Sequence, residues 1–388
     1  MYPKKSLSNQ IFIFIAIAVV ISASLACSTG SIVHTETEPT SQGEQGQNEP
    51  PKPPQEPTIQ VPTNRPIPTS APTPAPIGLS RNNPHPRSEV LSTSNWEVQV
   101  VETKRGEQAW QEIHAENMFN VAPPDGMEYI LVKLHVKSIS ADNDEHSIGG
   151  CDFGVTGDRL INYNCGMVVI VEPEPRLDAK LYTGGEVEGW AGYLVTQGEK
   201  NLMLVVNETQ YSDEDPVRYI ALDEGASISI SPDLASIMPT DLGMTRDAPA
   251  PRTEQVTTED WELAVIEEVR GEEAWAMVLE ASQYNDPPAE GMEYIAVKIH
   301  VRSIGTEEKA ERIEGFSFSA TGSKNILYDY KYVSEPYPSL SGISLYPGGE
   351  FEGWIVLQVA KGETGIILVF QSWLDFSGEN RRYISLEP

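Results

Sequence analysis

The chain has 388 residues, enough for two or three domains of ordinary size. It carries 27 Lys and Arg against 57 Asp and Glu, a formal net charge of −30, which excludes a nucleic-acid binder built on a basic face and opposes docking on anionic lipid. Hydrophobic residues make up 39%, low for a wholly globular chain, and three cysteines are too few for a disulfide-built scaffold.

The chain opens on a short positive segment, Met1 to Lys5, followed by a nearly unbroken apolar run from Ile11 to Ala26. As a helix that run spans about 24 Å, short of the ~30 Å hydrocarbon core, so a secretion signal over residues 1–26 fits better than a stable membrane span. It ends in Ala23-Ser24-Leu25-Ala26-Cys27. Small residues before a cysteine resemble the bacterial lipobox, with Leu25 two places before Cys27 where that motif has it three before. The resemblance implies a diacylglyceryl group on the Cys27 sulfur, cleavage before Cys27, and acylation of the new amine, palmitate being the expected kind of chain. Two or three acyl chains, at about 0.8 kcal/mol per buried CH₂, hold far more firmly than one. The expected location is therefore the extracytoplasmic face of the cell membrane, with the membrane itself a partner through the lipid.

Residues 27–88 follow, rich in Thr, Ser, Gln, Glu and Pro, with 14 of the 30 prolines between Pro39 and Pro86. So few apolar residues cannot offset the chain entropy of folding, and a disordered, extended tether reaching at most about 190 Å is expected.

The remainder contains an internal repeat. Trp96 recurs 165 positions later as Trp261, and the same offset relates Arg105-Gly106 to Arg270-Gly271 and Gly126-Met127-Glu128-Tyr129-Ile130 to Gly291-Met292-Glu293-Tyr294-Ile295. Further on the offset is 164, relating Gly184-Gly185-Glu186 to Gly348-Gly349-Glu350 and Gly189-Trp190 to Gly353-Trp354. Two domains are expected, 89–231 and 255–388, with a proline-containing linker over 232–254.

Each repeat mostly alternates with period two. In Ile130 to Lys137 the residues Ile130, Val132, Leu134 and Val136 line one face, while Leu131, Lys133, His135 and Lys137 line the other. Such a segment is a half-buried antiparallel strand. Glu107 to Asn117 breaks the pattern, with Trp110 and Ile113 at helical spacing, and predicts a short helix in each copy that ends before Pro123-Pro124 and Pro287-Pro288. Many short strands in about 135 residues give an all-β fold class: two tandem immunoglobulin-like β-sandwich domains, each with one short helix, after the tether.

Cys151 and Cys165 lie symmetrically about Asp158, and Thr156-Gly157-Asp158-Arg159 reads as a hairpin turn that would set them opposite each other. A disulfide suits an exported protein. In the second copy Phe316 and Tyr330 replace both sulfurs together. Metal binding by the two thiolates with His146 is the weaker alternative, because further ligands are missing.

The chemistry of enzymes leaves little trace. There is no Gly-x-Ser-x-Gly, no His-Glu-x-x-His and no phosphate-cradling glycine loop. His135 and His300 repeat on solvent-side faces and are expected to pair across strands with acidic neighbours such as Glu188 and Glu352. Asp142-Asn143-Asp144-Glu145 offers oxygens for calcium, yet without EF-hand spacing it reads as a solvated acidic loop. Tyr328, Tyr330 and Tyr332 read as a core-facing stripe rather than a sugar platform. No catalytic or metal residue is assigned, no cofactor is expected, and the ligand-binding residues are unknown.

The order Trp, Arg-Gly-Glu-x-Ala-Trp, Pro-Pro, then Gly-Met-Glu-Tyr-Ile one or two residues on, Gly-Gly-Glu-x-x-Gly-Trp resembles a bacterial lipoprotein family of unknown function. Its domain is similar in fold to the immunoglobulin-like fold of a small secreted mycobacterial immunoprotective antigen. The resemblance covers both repeats and transfers no active site. The expected function is non-enzymatic binding or scaffolding of an extracellular protein or glycan; the alternatives are an envelope-polymer hydrolase and an envelope assembly or quality-control accessory protein.

Overall fold

The computed structural model describes residues 76–388 except 143, 208–215, 373–377, 379 and 388. The signal segment, Cys27 and the tether up to residue 75 lie outside the described residues.

The first half contains strands β1 (Leu91–Ser92), β2 (Trp96–Arg105), helix α1 (Glu107–Glu116), β3 (Met127–Ser138), β4 (His146–Gly149), β5 (Phe153–Thr156), β6 (Tyr163–Asn164), β7 (Asp178–Leu181), β8 (Glu186–Thr196), β9 (Met203–Val206) and β10 (Arg218–Ala221). The second half repeats it with β11 (Val256–Thr257), β12 (Trp261–Arg270), α2 (Gly271–Ala281), β13 (Met292–Ser303), β14 (Glu311–Ile313), β15 (Phe318–Thr321), β16 (Leu327–Tyr328), β17 (Ile343–Leu345), β18 (Glu350–Ala360), β19 (Ile367–Phe370) and β20 (Arg382–Ser385). Sheets run in the order β1-β2-β3-β8 and β10-β9-β5-β6 in the first half, with β4-β7 apart. The second has β11-β12-β13-β18, β16-β15-β19-β20 and β14-β17. The fold is all-β, two tandem sandwiches each carrying one α-helix.

The alternation seen in the sequence places the core. Val98, Val132, Leu134 and Val136 face Phe153, Val155, Leu204 and Ile220 from the opposing sheet, all buried. Leu263, Val297, Ile299 and Val301 do the same against Phe318, Leu368 and Ile384. One extra residue in β2 shifts the register between Val100 and Glu102, and β12 repeats the shift between Val265 and Glu267. The bulged Val101 and Ile266 are left exposed, as an inserted residue outside the ladder must be.

The helices explain the apolar residues that break the alternation. Ala109 and Ile113 of α1 cover Tyr129, Leu131, Trp190 and Leu194 on the outer face of the first sheet. Ala274 and Val278 of α2 cover Tyr294, Ala296, Trp354 and Val356 in the second. Trp110 is only half-buried and stacks on Tyr129 with ring centroids 5.9 Å apart; Trp275 and Tyr294 repeat that distance.

The expected tether boundary at residue 88 is corrected. Residues 76–88 are folded: the Tyr219 N–H donates to Gly78 O, His85 N–H to Tyr219 O, and Ala221 N–H to His85 O, adding a short parallel segment beside β10. Arg81 is fully buried. The expected linker contains the same device. Tyr383 N–H donates to Gly243 O, Ala250 N–H to Tyr383 O, and Ser385 N–H to Ala250 O. Gly243 has φ +72°, and a Cβ there would lie 2.5 Å from Tyr383 O, so only glycine fits the approach. Leu234, in a 3₁₀ turn over Pro232–Ser236, is also buried. Each repeat therefore begins at Gly78 or Gly243, 18 positions before its first tryptophan.

The two halves meet edge to edge. Ile161, just before β6, forms an antiparallel bridge with Leu345 of β17. Asn162 N–H donates to Ser344 O at 2.9 Å, and Tyr346 N–H donates to Leu160 O at 2.8 Å. Tyr346 is buried against Tyr219, with the Arg81 guanidinium 3.9 Å from its ring centroid. Arg81 Nε donates to Glu308 Oε1 at 2.6 Å.

Candidate binding surfaces

The disulfide is present: Cys151 and Cys165 are bonded with Cα atoms 5.2 Å apart. Its placement differs from the expected hairpin geometry. The ladder pairs Gly154 with Asn164 and Val155 with Tyr163, a register that does not set the cysteines opposite each other. Both sit instead in 3₁₀ turns beyond the strand ends, Gly150–Asp152 and Cys165–Met167, where the chain leaves the sheet. The bond thus pins two loops rather than two strands. In the second half Phe316 is exposed, while the Tyr330 ring lies over Gly315, where a Cβ would be 2.3 Å from it.

Each half also buries one carboxylate under its β5 or β15 hairpin. Glu199 Oε1 accepts from Arg159 N–H at 2.7 Å and Oε2 from the Tyr163 hydroxyl at 2.8 Å. Glu363 accepts from Lys324 N–H at 2.8 Å, the Ser323 hydroxyl at 2.9 Å and the Tyr328 hydroxyl at 2.6 Å. Glu363 has one hydroxyl donor that Glu199 lacks, Ser323, where the first half has Asp158. Burial pushes the Glu199 carboxyl up to about 7, against the Arg159 and Tyr163 donors, and the Asp158 charge adds to the rise. Burial also pushes Glu363 up, but its three donors outweigh it and hold the carboxyl below the ordinary value. Both groups fix a turn of their own hairpin.

The repeated histidines each lie beside a carboxylate. His135 faces Glu188 in register but its Nε2 lies 3.4 Å from Glu186, while Glu188 takes Lys133 at 2.6 Å. His300 pairs with Glu350 at 3.5 Å, and Lys298 with Glu352 at 3.0 Å. In the acidic loop Asp142 accepts from His146 at 2.8 Å and Glu145 from Lys180 at 3.0 Å. Among the described residues no cluster of His, Cys, Asp or Glu has the arrangement of a metal site, and no helix is long and apolar enough to cross a membrane.

Two loops beside each helix form an exposed tip that sequence reasoning missed. The Asn120 side chain clasps the two loops, its Nδ2 donating to Ile113 O and Val171 O and its Oδ1 accepting from Val171 N–H at 2.9 Å. Asn285 repeats the clasp with Val278 O, Ser334 O and Ser334 N–H. With the loops fixed, Met118, Phe119, Val121 and Val169 project outward, between 71% and 95% exposed. The corresponding tip of the second half carries Tyr284 at 87% and Tyr332 at 78%. Tyr332 thus leaves the expected core-facing stripe, of which only Tyr328 is fully buried. Isolated exposed apolar residues are ordinary; these are grouped on loops that one asparagine holds together, which makes each tip a candidate interaction surface. The signal was the pair Asn120 and Asn285, 165 positions apart and each following an apolar or aromatic residue.

A cleft of about 320 Å³ lies between the halves, lined by Ile161, Met167, Leu194 and Phe351 together with Arg312 and Glu314. That is the lower end of small-ligand pockets. Arg312 Nε is 2.5 Å from Glu314 Oε1, so the charges in the cleft are already paired.

No protein-family model and no curated protein matches the sequence. Solved structures do match. A proposed lipoprotein of Bacillus subtilis is similar at 12% identity over 34% of this chain and 38% of that one, with a TM-score of 0.27. The chain therefore spans well under half of that protein's length. A secreted protein of Mycobacterium tuberculosis is similar at 13% identity, covering 36% of this chain and 98% of that one, TM-score 0.25. An uncharacterised β-sandwich protein of Clostridium difficile is similar at 13% identity, covering 39% and 97%, TM-score 0.23.

Proposed function

We propose that the chain is a lipid-anchored surface protein that binds an extracellular partner without catalysing its conversion, its two sandwiches presenting the rigid loop tips as contact points. The observation that carries this reading is the duplicated tip: one asparagine clasp, built twice, holding large apolar or aromatic side chains in solvent. A clasp retained while its cargo changes from Met118, Phe119, Val121 and Val169 to Tyr284 and Tyr332 fits two contact points of different chemistry. Aromatic residues suit such a role because they bring large, stiff contact area. Two linked sites raise avidity wherever the partner is itself repeated or extended. The buried carboxylates support a non-enzymatic reading, since Glu199 and Glu363 each fix a loop of their own half. Cys27, extracytoplasmic display and palmitate-type acylation belong to the same proposal and rest on the sequence.

The test places a photo-reactive phenylalanine analogue at Phe119, at Tyr284 and, as an exposed control, at Lys361, in the full chain displayed on cells. Discrete adducts from positions 119 and 284, absent at 361, support the reading, and their mass spectra separate protein from glycan. Equal labelling at all three positions contradicts it.

A further inference from the structure

The contact that joins the two halves has an unused counterpart at each end of the chain. On the second half the contact is made by Leu345, Tyr346 and the Gly348-Gly349 turn, with Leu160 of the first half lying on those glycines. The first half carries the same elements as Leu181, Tyr182 and Gly184-Gly185. Tyr346 is 1% exposed and Tyr182 is 61% exposed. Gly184 has φ +84°, as Gly348 has φ +87°, but a Cβ on it would meet nothing within 4 Å. The plug and its flat platform are present and uncovered.

The socket is duplicated too. In the first half it consists of Leu160, Ile161 and Asn162 with Arg81 and Tyr219. The second half has Asn325, Ile326 and Leu327 with Arg246 and Tyr383. Leu160 and Asn325 share the left-handed backbone, φ 63° and 58°, so the chain presents the same carbonyl and amide at both places. Ile161 is 6% exposed under β17, whereas Ile326 is 48% and Leu327 60% exposed. β16 is the outer strand of its sheet, and β7 is paired only with β4 among the described residues. Two open edges with apolar side chains are surfaces that a stable monomer normally protects.

We propose that a second copy of this chain covers these surfaces, head to tail. β7 of one copy pairs with the β16 edge of the next. Tyr182 N–H donates to Asn325 O, Leu327 N–H donates to Lys180 O, and Tyr182 packs against Tyr383 and Arg246. The plug and socket are different surfaces, so the contact is heterologous and repeats from copy to copy instead of closing as a two-fold dimer. The net charge of −30 opposes it, so association strengthens as salt screens that repulsion.

The experiment is sedimentation velocity of the full chain in excess detergent micelles, over rising concentration and salt. Tyr182→Glu and Ile326→Glu alter exposed side chains, and unchanged circular dichroism melts establish that both variants fold. The wild-type chain forms a concentration-dependent series of oligomers. Each variant alone is monomeric, and an equal mixture gives a dimer and nothing larger, because the only intact plug meets the only intact socket. A wild-type chain that stays monomeric overturns the proposal, as do variants that associate like wild type or a mixture that stays monomeric.

Discussion

Glu199→Gln removes one titration and leaves the packing around it in place. In the native chain burial holds this carboxyl at about 7 against 4.5 when exposed. Because the folded state binds the proton more tightly, the stability it contributes is complete below the exposed value and is lost as pH rises through 7. At 1.36 kcal/mol per unit the whole effect is about 3 kcal/mol, most of it between pH 5 and 8. The amide cannot ionise, so the variant escapes that loss; its oxygen still accepts from Arg159 N–H, and its NH₂ faces the Tyr163 hydroxyl, which can turn its own proton to Thr196. Urea unfolding of both chains at the two pH values is the assay. The stability of the variant relative to wild type should rise by about 2–3 kcal/mol from the lower pH to the higher. A difference that stays constant refutes the burial argument. Asp158→Ser extends the test by copying the second half, where Ser323 donates to Glu363; carboxyl NMR should show the Glu199 midpoint falling.

Reducing the Cys151–Cys165 bond, which spans 14 positions, should destabilise the first half by about 3 kcal/mol and leave the second unaffected, measured by hydrogen exchange with and without reductant. Gly157→Ala would place a Cβ 2.5 Å from Glu199 Cγ and 2.7 Å from Lys200 O; a cost of about 1–3 kcal/mol in urea unfolding is expected, and Gly322→Ala should behave alike against Glu363. Tyr346→Ala empties a buried site under Arg81, so the Asn162 and Tyr346 amides that bridge the halves should exchange at least tenfold faster, while core amides of β3 and β13 keep their protection.

The architecture was legible because a strand buried on one face must alternate. Ile130, Val132, Leu134 and Val136 fall on the core side as their spacing requires. Leu131, Trp354 and Val356 depart from the alternation because a helix covers the outer face there, a tertiary contact that strand periodicity cannot express. The cysteine pair was legible from its symmetry, but the ladder register and the 3₁₀ turns were not. The start of each repeat was missed although its signal was in the sequence: Gly78, Arg81 and Arg87 recur as Gly243, Arg246 and Arg252, 165 positions on. Proline-rich composition masked it, since Pro84 and Pro86 read as tether while the backbone between Gly78 and His85 was pairing with Tyr219. The repeated Asn120 and Asn285 were a signal for the loop tips, but the exposure of their side chains and the contact between halves were out of reach because both depend on neighbours distant in sequence. Tyr182 and Tyr346 are the same residue in the same motif, and only what lies against them differs.

Under the proposed function, the duplicated sandwich is displayed outside the cell from a lipid on Cys27. The direct measurement compares wild type with Cys27→Ser in intact cells, by fractionation, acyl-chain labelling and added protease. Wild type should be labelled, sediment with membranes and be cut by the protease, while the variant should carry no label and either leave the membrane fraction or accumulate as unprocessed precursor. Wild type without label, or protected from protease in intact cells, would contradict the account.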